Sequence, residues 1–118
     1  MEEKSRIIKK LNEDQSRPVL FEQSFGGSEN QLRLLLKYLP DESFKDINLI
    51  LNNTDQNLLE SDKINVLWMQ HFVNQKEAQN LGSADYVNKL DHIVFNSNWN
   101  FEKFVYQFKV PESKSLVI

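Results

Sequence analysis

The chain has 118 residues, 40% apolar and 26% charged, with a formal net charge of −3 at pH 7, a balance that points to one globular domain rather than a disordered tail. Its lysines and arginines are dispersed among carboxylates and the pI lies near 5.4, which argues against non-specific binding to nucleic acid or anionic lipid. The absence of cysteine removes disulfides, thiolate metal sites and a cysteine nucleophile. With no basic-then-apolar leader and no apolar run of about 18 residues, the expectation is a cytoplasmic protein without a membrane span.

Residues 2–14 place Ile7, Ile8 and Leu11 on one face of a charged segment, predicting a short amphipathic helix against a sheet edge or a partner. Arg17-Pro18 breaks it, so residues 1–17 are read as an N-terminal helical extension and residues 18–118 as a Rossmann-like domain. A first strand, Val19–Gln23, runs into Gly26-Gly27, and Ser28 opens a helix with Gln31 at capping-box spacing. Leu32, Leu35, Leu36 and Leu39 give that helix one apolar stripe, and Pro40 ends it.

Ile47–Leu51, Ile64–Trp68, His92–Phe95 and Leu116–Ile118 are short, nearly continuous apolar runs, the pattern of parallel strands buried on both faces. Residues 52–63 read as a loop with room for a helical turn at Leu58-Leu59. Asn74-x-x-Glu77 begins a helical stretch that Gly82 stops, and Ser83 caps a second that turns Tyr86, Val87 and Leu90 inward. Ser97 or Asn98 opens a last helix with Phe101, Phe104, Val105 and Phe108 on its inner face, ended by Pro111. The order predicts an α/β fold: a Rossmann-like, doubly wound, mainly parallel sheet with helices on both faces.

In such a sheet ligands bind at the carboxyl ends of the strands. Three tails there carry residues able to touch one: Gly26-Gly27-Ser28-Glu29, Met69-Gln70-His71 and Asn96-Ser97-Asn98-Trp99. The connection without a long helix between the second and third strands, Ile47–Leu51 and Ile64–Trp68, lets the chain cross to the far side of the first strand. The switch point then falls between Val19–Gln23 and Ile64–Trp68, with Gly26, Gly27 and His71 facing a shared hollow.

Each of these residues admits two readings. Glycines at 26 and 27 let backbone amides approach a phosphate or sugar at a helix N-terminus, or simply supply the positive φ of a strand-to-helix turn. Glu29 either complements the helix dipole or touches a ligand. His71 either donates to a sugar hydroxyl or phosphate near neutral pH or bonds to backbone; His92, inside a strand, reads as structural. Ser97 reads as a helix cap, lacking a Gly-x-Ser-x-Gly elbow. Trp68 and Trp99 either stack on a sugar ring or pack in the core. No dinucleotide or Walker loop occurs, and two histidines without cysteine or a His-x-x-x-His pair argue against zinc.

Taken in order, Gly26-Gly27-Ser28-Glu29, the segment Asn65–His71, the segment Asp91–Trp99 and the segment Val110–Ile118 resemble the N-terminal half of GT-B glycosyltransferases, especially the retaining family 4 group. The resemblance covers Val19 to Ile118 and rests on order and spacing. It implies an acceptor-side domain of an enzyme that transfers a hexose from a nucleotide-diphosphate sugar to a hydroxyl acceptor, with a second domain holding the donor and no metal or other cofactor. In that scheme His71 is the catalytic contact to the transferred sugar, Gly26, Gly27 and Ser28 bound the substrate cleft, and Ser97 shapes its rim. Two departures stand out: an extension precedes the first strand, and the sequence ends where the family continues into its donor domain. These suggest a truncated frame, a fragment or one subunit of a split enzyme, inactive by itself and self-associating as a homo-oligomer through the uncovered face. The alternative is a stand-alone α/β binding or assembly module without catalysis.

Overall fold

Four of the apolar runs become neighbouring strands of one all-parallel sheet with helices around it: β1 Ile47–Leu51, β2 Ile64–Met69, β3 His92–Phe95 and β4 Ser115–Val117, in that spatial order. The computed structural model describes residues 2–13 and 27–118, so the strand read over Val19–Gln23 and the loop through Gly26 lie outside the described residues. The register pairs Val66 with His92 and Met69 with Phe95, then Ile93 with Ser115 and Phe95 with Val117.

This topology corrects one expectation. A strand has two edges, and those of β2 are occupied by β1 and β3. The backbone N–H of Asn52, just past β1, donates to the Trp68 carbonyl at 3.0 Å. The connection over residues 52–63 carries a 3₁₀ turn, Gln56–Leu58, and returns the chain beside the strand it has just left. The crossing expected after Ile47–Leu51 is therefore not made; the other side of the expected switch point, Val19–Gln23, lies outside the described residues.

The apolar runs are also buried unequally. In β1 every residue after Ile47 is buried, whereas β3 alternates. β4 is an edge strand, with Leu116 53% exposed, so burial on both faces does not extend to Leu116–Ile118. Alternate residues share a face of a strand: Leu67, Met69, Ile93 and Phe95, with Ile50, form the sheet's contribution to the core. Against them pack Leu81 of the 3₁₀ segment Lys76–Gly82, Tyr86 and Val87 of α3 (Ala84–Lys89) and Phe104 of α4 (Asn98–Phe108).

The packing on this face is a chain of tilted rings. Phe95 meets Phe101 at 5.6 Å and Phe104 at 5.3 Å, and Phe104 meets Phe108 at 5.8 Å. Gly82 matters through its missing side chain, since a Cβ there would sit 3.1 Å from the Phe108 ring. The stretch before it is 3₁₀ rather than α, because the Asn80 N–H and side-chain amide donate to the Thr54 hydroxyl and carbonyl, at 3.2 and 2.7 Å. Ser83 caps α3 as its position predicts, accepting from Tyr86 N. At the other end of α3, Lys114 Nζ donates to the carbonyls of Val87 and Leu90 at 3.0 and 2.8 Å, placing a cation at the negative end of the helix.

The described residues fall into two compact units, 1–47 and 48–118. In the first, α1 (Glu2–Asn12) buries Ile7 and Leu11. Its free N-terminal amides are capped from far along the chain: the Asp41 carboxylate accepts from Glu3 N at 3.1 Å and Lys4 N at 3.0 Å. Arg6 adds a bond from Nη2 to the Phe44 carbonyl. α2 (Gly27–Tyr38) buries Leu32 and Leu36, while Leu39 lies past its end and is exposed.

Truncating Phe104, which is fully buried, removes the centre of the ring chain. Phe104→Ala is expected to cost about 3–5 kcal/mol in urea unfolding, and a loss below about 1 kcal/mol would deny the ring chain its role. The bond from the Lys4 N–H is the largest influence holding the Asp41 carboxyl below its ordinary value of 3.8. A carboxyl depressed in the folded state stabilises above its unfolded value and loses that contribution as pH falls through the folded value. Acid titration of helical ellipticity should show this loss below about pH 4, and Asp41→Asn should flatten the profile there while leaving neutral pH less affected.

Candidate functional site

At the carboxyl ends of β1, β2 and β3 the backbone is fixed by asparagine side chains. Asn52 follows β1 with φ of 57°, the left-handed region that asparagine tolerates better than most residues. In that conformation its side-chain Oδ1 accepts from Gln70 N at 2.6 Å and from His71 N at 3.2 Å. The chain leaving β2 is thereby turned at His71. Beyond β3, Asn96 Oδ1 accepts from the Trp68 indole Nε1 at 2.8 Å, which satisfies the donor of a buried ring.

Ser97 then opens α4, its hydroxyl accepting from Asn100 N at 3.1 Å. The cap places Asn100 in the first turn, 8% exposed, where its Nδ2 donates to the His71 carbonyl at 3.1 Å. His71 is thus held on both sides: Asn52 takes its N–H and Asn100 takes its C=O. Within this clamp two buried polar atoms have no hydrogen-bond partner among the described residues, His71 Nδ1 and Asn100 Oδ1. Leaving such an atom unsatisfied costs about 1–3 kcal/mol, and a native structure that tolerates it at a strand terminus calls for an explanation. A carboxamide oxygen accepts a proton donor, and a neutral imidazole nitrogen donates or accepts according to tautomer. Together they suit a ligand with several hydroxyl groups.

The other sequence-selected residues divide clearly. Trp68 is buried and bonded, whereas Trp99 is 58% exposed and stacks on Phe72, with ring centres 5.2 Å apart and planes 15° from parallel. Ser97 is exposed and its oxygen serves the helix cap. His92 opens β3 at the opposite end of the strand direction from His71 and is exposed. Gly26 lies outside the described residues, as do the side chains of Ser28 and Glu29, and Gly27 is the first residue of α2. The shared hollow expected for Gly26, Gly27 and His71 therefore lies outside what is described.

Sequence reasoning named Asn96 only as part of a strand tail and passed over Asn52 and Asn100, although Asn52 follows an apolar run and asparagine is the non-glycine residue best suited to left-handed and capping positions. Among the described residues no helix is long and apolar enough to cross a membrane, and no group of three His, Cys, Asp or Glu could hold a metal ion.

Two substitutions separate the roles of Asn52. Asn52→Gly keeps the left-handed backbone and deletes the acceptor, and is expected to cost about 1–3 kcal/mol. Asn52→Ala adds backbone strain of about 1–2 kcal/mol to that loss, so urea denaturation should rank it below the glycine variant; the reverse ranking would contradict the strained-backbone account. No protein-family model, curated protein or solved structure matches the chain.

Proposed function

We propose that the chain is the acceptor-side domain of a retaining glycosyltransferase of the GT-B type. In this reading a hexose leaves a nucleotide-diphosphate sugar and joins a hydroxyl acceptor, the nucleoside diphosphate departing, with most donor contacts supplied by a second domain and the sugar itself touched by this one. His71 contacts the transferred sugar, and Ser97 shapes the rim by setting the start of α4. The observation that carries the reading is the clamp on His71. Two asparagines fix its backbone at the carboxyl rim of a parallel sheet while His71 Nδ1 and Asn100 Oδ1 stay unpartnered, at the end of the sheet where α/β folds bind ligands. The order of motifs shared with GT-B enzymes supplies the reaction class, since fold alone does not dictate activity.

Self-association accompanies this reading, supported by the exposed Leu116 and Val117 of edge strand β4. Light scattering is expected to give at least twice the 13.9 kDa chain mass, and a monomer at high concentration would remove the oligomer from the proposal.

The two histidines give the site its own control. Titrating the chain with UDP-glucose and GDP-mannose while following the imidazole signals by carbon–proton correlation spectroscopy should move His71 and leave His92 in place. His71→Ala should weaken binding at least about tenfold, or ~1.4 kcal/mol. A His71 signal indifferent to every nucleotide sugar, or a His92 signal that moves equally, would overturn the reading.

A further inference from the structure

Beside the clamp, Trp99 and Phe72 form a shelf that the transfer reaction as such does not require. We infer that the acceptor is itself a carbohydrate, a hexopyranoside whose C–H face lies on the indole of Trp99. The inference rests on the glycosyltransferase reading above and names the substrate class that the reading leaves open.

Three observations carry it. The first is the exposure and order of the ring. Trp99 is 58% exposed, yet it is not a loosely held surface residue: it stacks almost parallel on Phe72 at 5.2 Å. Phe72 lies in the loop after β2 and Trp99 in the first turn of α4 after β3, so two connections of the same rim build one flat surface. A ring ordered before binding loses little conformational freedom when a partner arrives.

The second observation is comparison with the other exposed aromatic side chains. Tyr38 and Tyr106, 70% and 81% exposed, each have a lysine ammonium over the ring and no stacked aromatic partner among the described residues. Trp99 alone among them combines a ring partner with a place on the carboxyl rim. Trp99 shares the lysine contact, Lys103 Nζ lying 5.4 Å from its ring centre, so the stacked partner Phe72 is what sets it apart. The faintly positive C–H groups on one side of a pyranose are drawn to the same negative face of the π-system.

The third observation is the polar group next in the chain. Asn100 is nine-tenths buried and its Oδ1 has no partner among the described residues, so an acceptor for a hydroxyl proton sits one residue from the shelf, on the same helical turn. A hexopyranoside presents both features a rim of this kind selects, an apolar face and hydroxyl donors around its edge. A fatty chain would leave Asn100 Oδ1 unsatisfied, and a small polyol has no face to stack.

The chain's two tryptophans make the test internal. Methyl β-D-glucopyranoside and cellobiose are titrated into the full chain while the two indole N–H signals are followed by nitrogen–proton correlation spectroscopy. The Trp99 signal should move and the Trp68 signal, tied to Asn96, should stay. Trp99→Ala should weaken saccharide binding at least about tenfold, and Trp99→Phe, which keeps an aromatic face, should stay within about threefold of the parent. Circular dichroism of both variants should match the parent, Trp99 being exposed.

Glycerol and p-cresol run in parallel. Stronger binding of p-cresol than of either saccharide identifies a generic apolar patch and overturns the inference, as does saccharide binding that survives Trp99→Ala. If nucleotide sugars move His71 while glycosides leave Trp99 unmoved, the transferase reading stands and the carbohydrate acceptor falls. If glycosides move Trp99 and no nucleotide sugar moves His71, the acceptor role falls together with the transferase reading.

Discussion

Buried asparagine side chains tie the ends of the sheet together, and the rest of the structure depends on those ties. The strands are only three to six residues long, so much of the backbone near their ends lies beyond the ladder and needs other partners. An amide side chain offers a donor and an acceptor at once. At the amino ends, Asn48 Nδ2 donates to Asn65 Oδ1 and to the Leu58 carbonyl, both at 2.8 Å. Asn65 in turn donates through Nδ2 to the Glu60 carbonyl at 2.9 Å, and its backbone N–H donates to Asp91 Oδ2 at 2.8 Å. At the carboxyl ends Asn52, Asn96 and Asn100 do the same for β1, β2 and α4. A leucine at Asn48, Asn65 or Asn100 would fit the burial and strand the backbone groups beside it.

The two ends nevertheless differ in what they leave open. The amino end borders an open groove of about 570 Å³ lined by Gln56, Leu59, Ser61, Lys63, Lys89 and Asp91 among others, but its polar groups largely serve one another: Lys89 Nζ reaches Gln56 Oε1 and Asp91 serves Asn65. Two further unpartnered atoms, Asn48 Oδ1 and the Tyr86 hydroxyl, belong to side chains almost wholly enclosed. Burial raises the pKa of Tyr86 far above its ordinary value, so its phenol stays neutral and inside the core. His71 Nδ1 and Asn100 Oδ1 differ in belonging to residues that adjoin the stacked rings of Phe72 and the exposed Trp99.

Much of the fold is legible in the amino-acid order, because local rules and burial agree there. The leucine and phenylalanine stripes, the serine caps at 83 and 97, and the runs Ile47–Leu51 and Ile64–Trp68 each state one structural preference, and the described elements follow them. Strand neighbours are different, because adjacency depends on where a connection lands, and a 12-residue segment such as 52–63 reaches either side of a sheet. The edge position of β4 was hidden for a related reason: Leu116 and Val117 are as apolar as core residues, and only the absence of a fifth described strand beside them makes them exposed. Of the site, His71 was legible from its place after a buried run. The asparagines were not, since a polar residue after a strand looks the same whether it faces water or holds the neighbouring loop.

A parallel sheet has a direction, and that direction makes the rim a place where chemistry collects. Every strand delivers its following loop to the same side, so β1, β2 and β3 bring Asn52, then His71 and Phe72, then Trp99 and Asn100 into one row. Register sets the match. With Met69 opposite Phe95, three residues beyond β2 bring Phe72, and four beyond β3 bring Trp99, to the same height, where their rings stack. Slipping β3 by one residue would turn its buried face outward and would also separate the two rings and draw Asn100 away from the His71 carbonyl. Core packing and the candidate site are therefore specified by one alignment: the apolar alternation that buries Ile93 and Phe95 also delivers Trp99 and Asn100 to the clamp. His92, at the beginning of β3, is carried by that alignment to the opposite end of the sheet, which is why one histidine of the pair stands at the candidate site and the other does not.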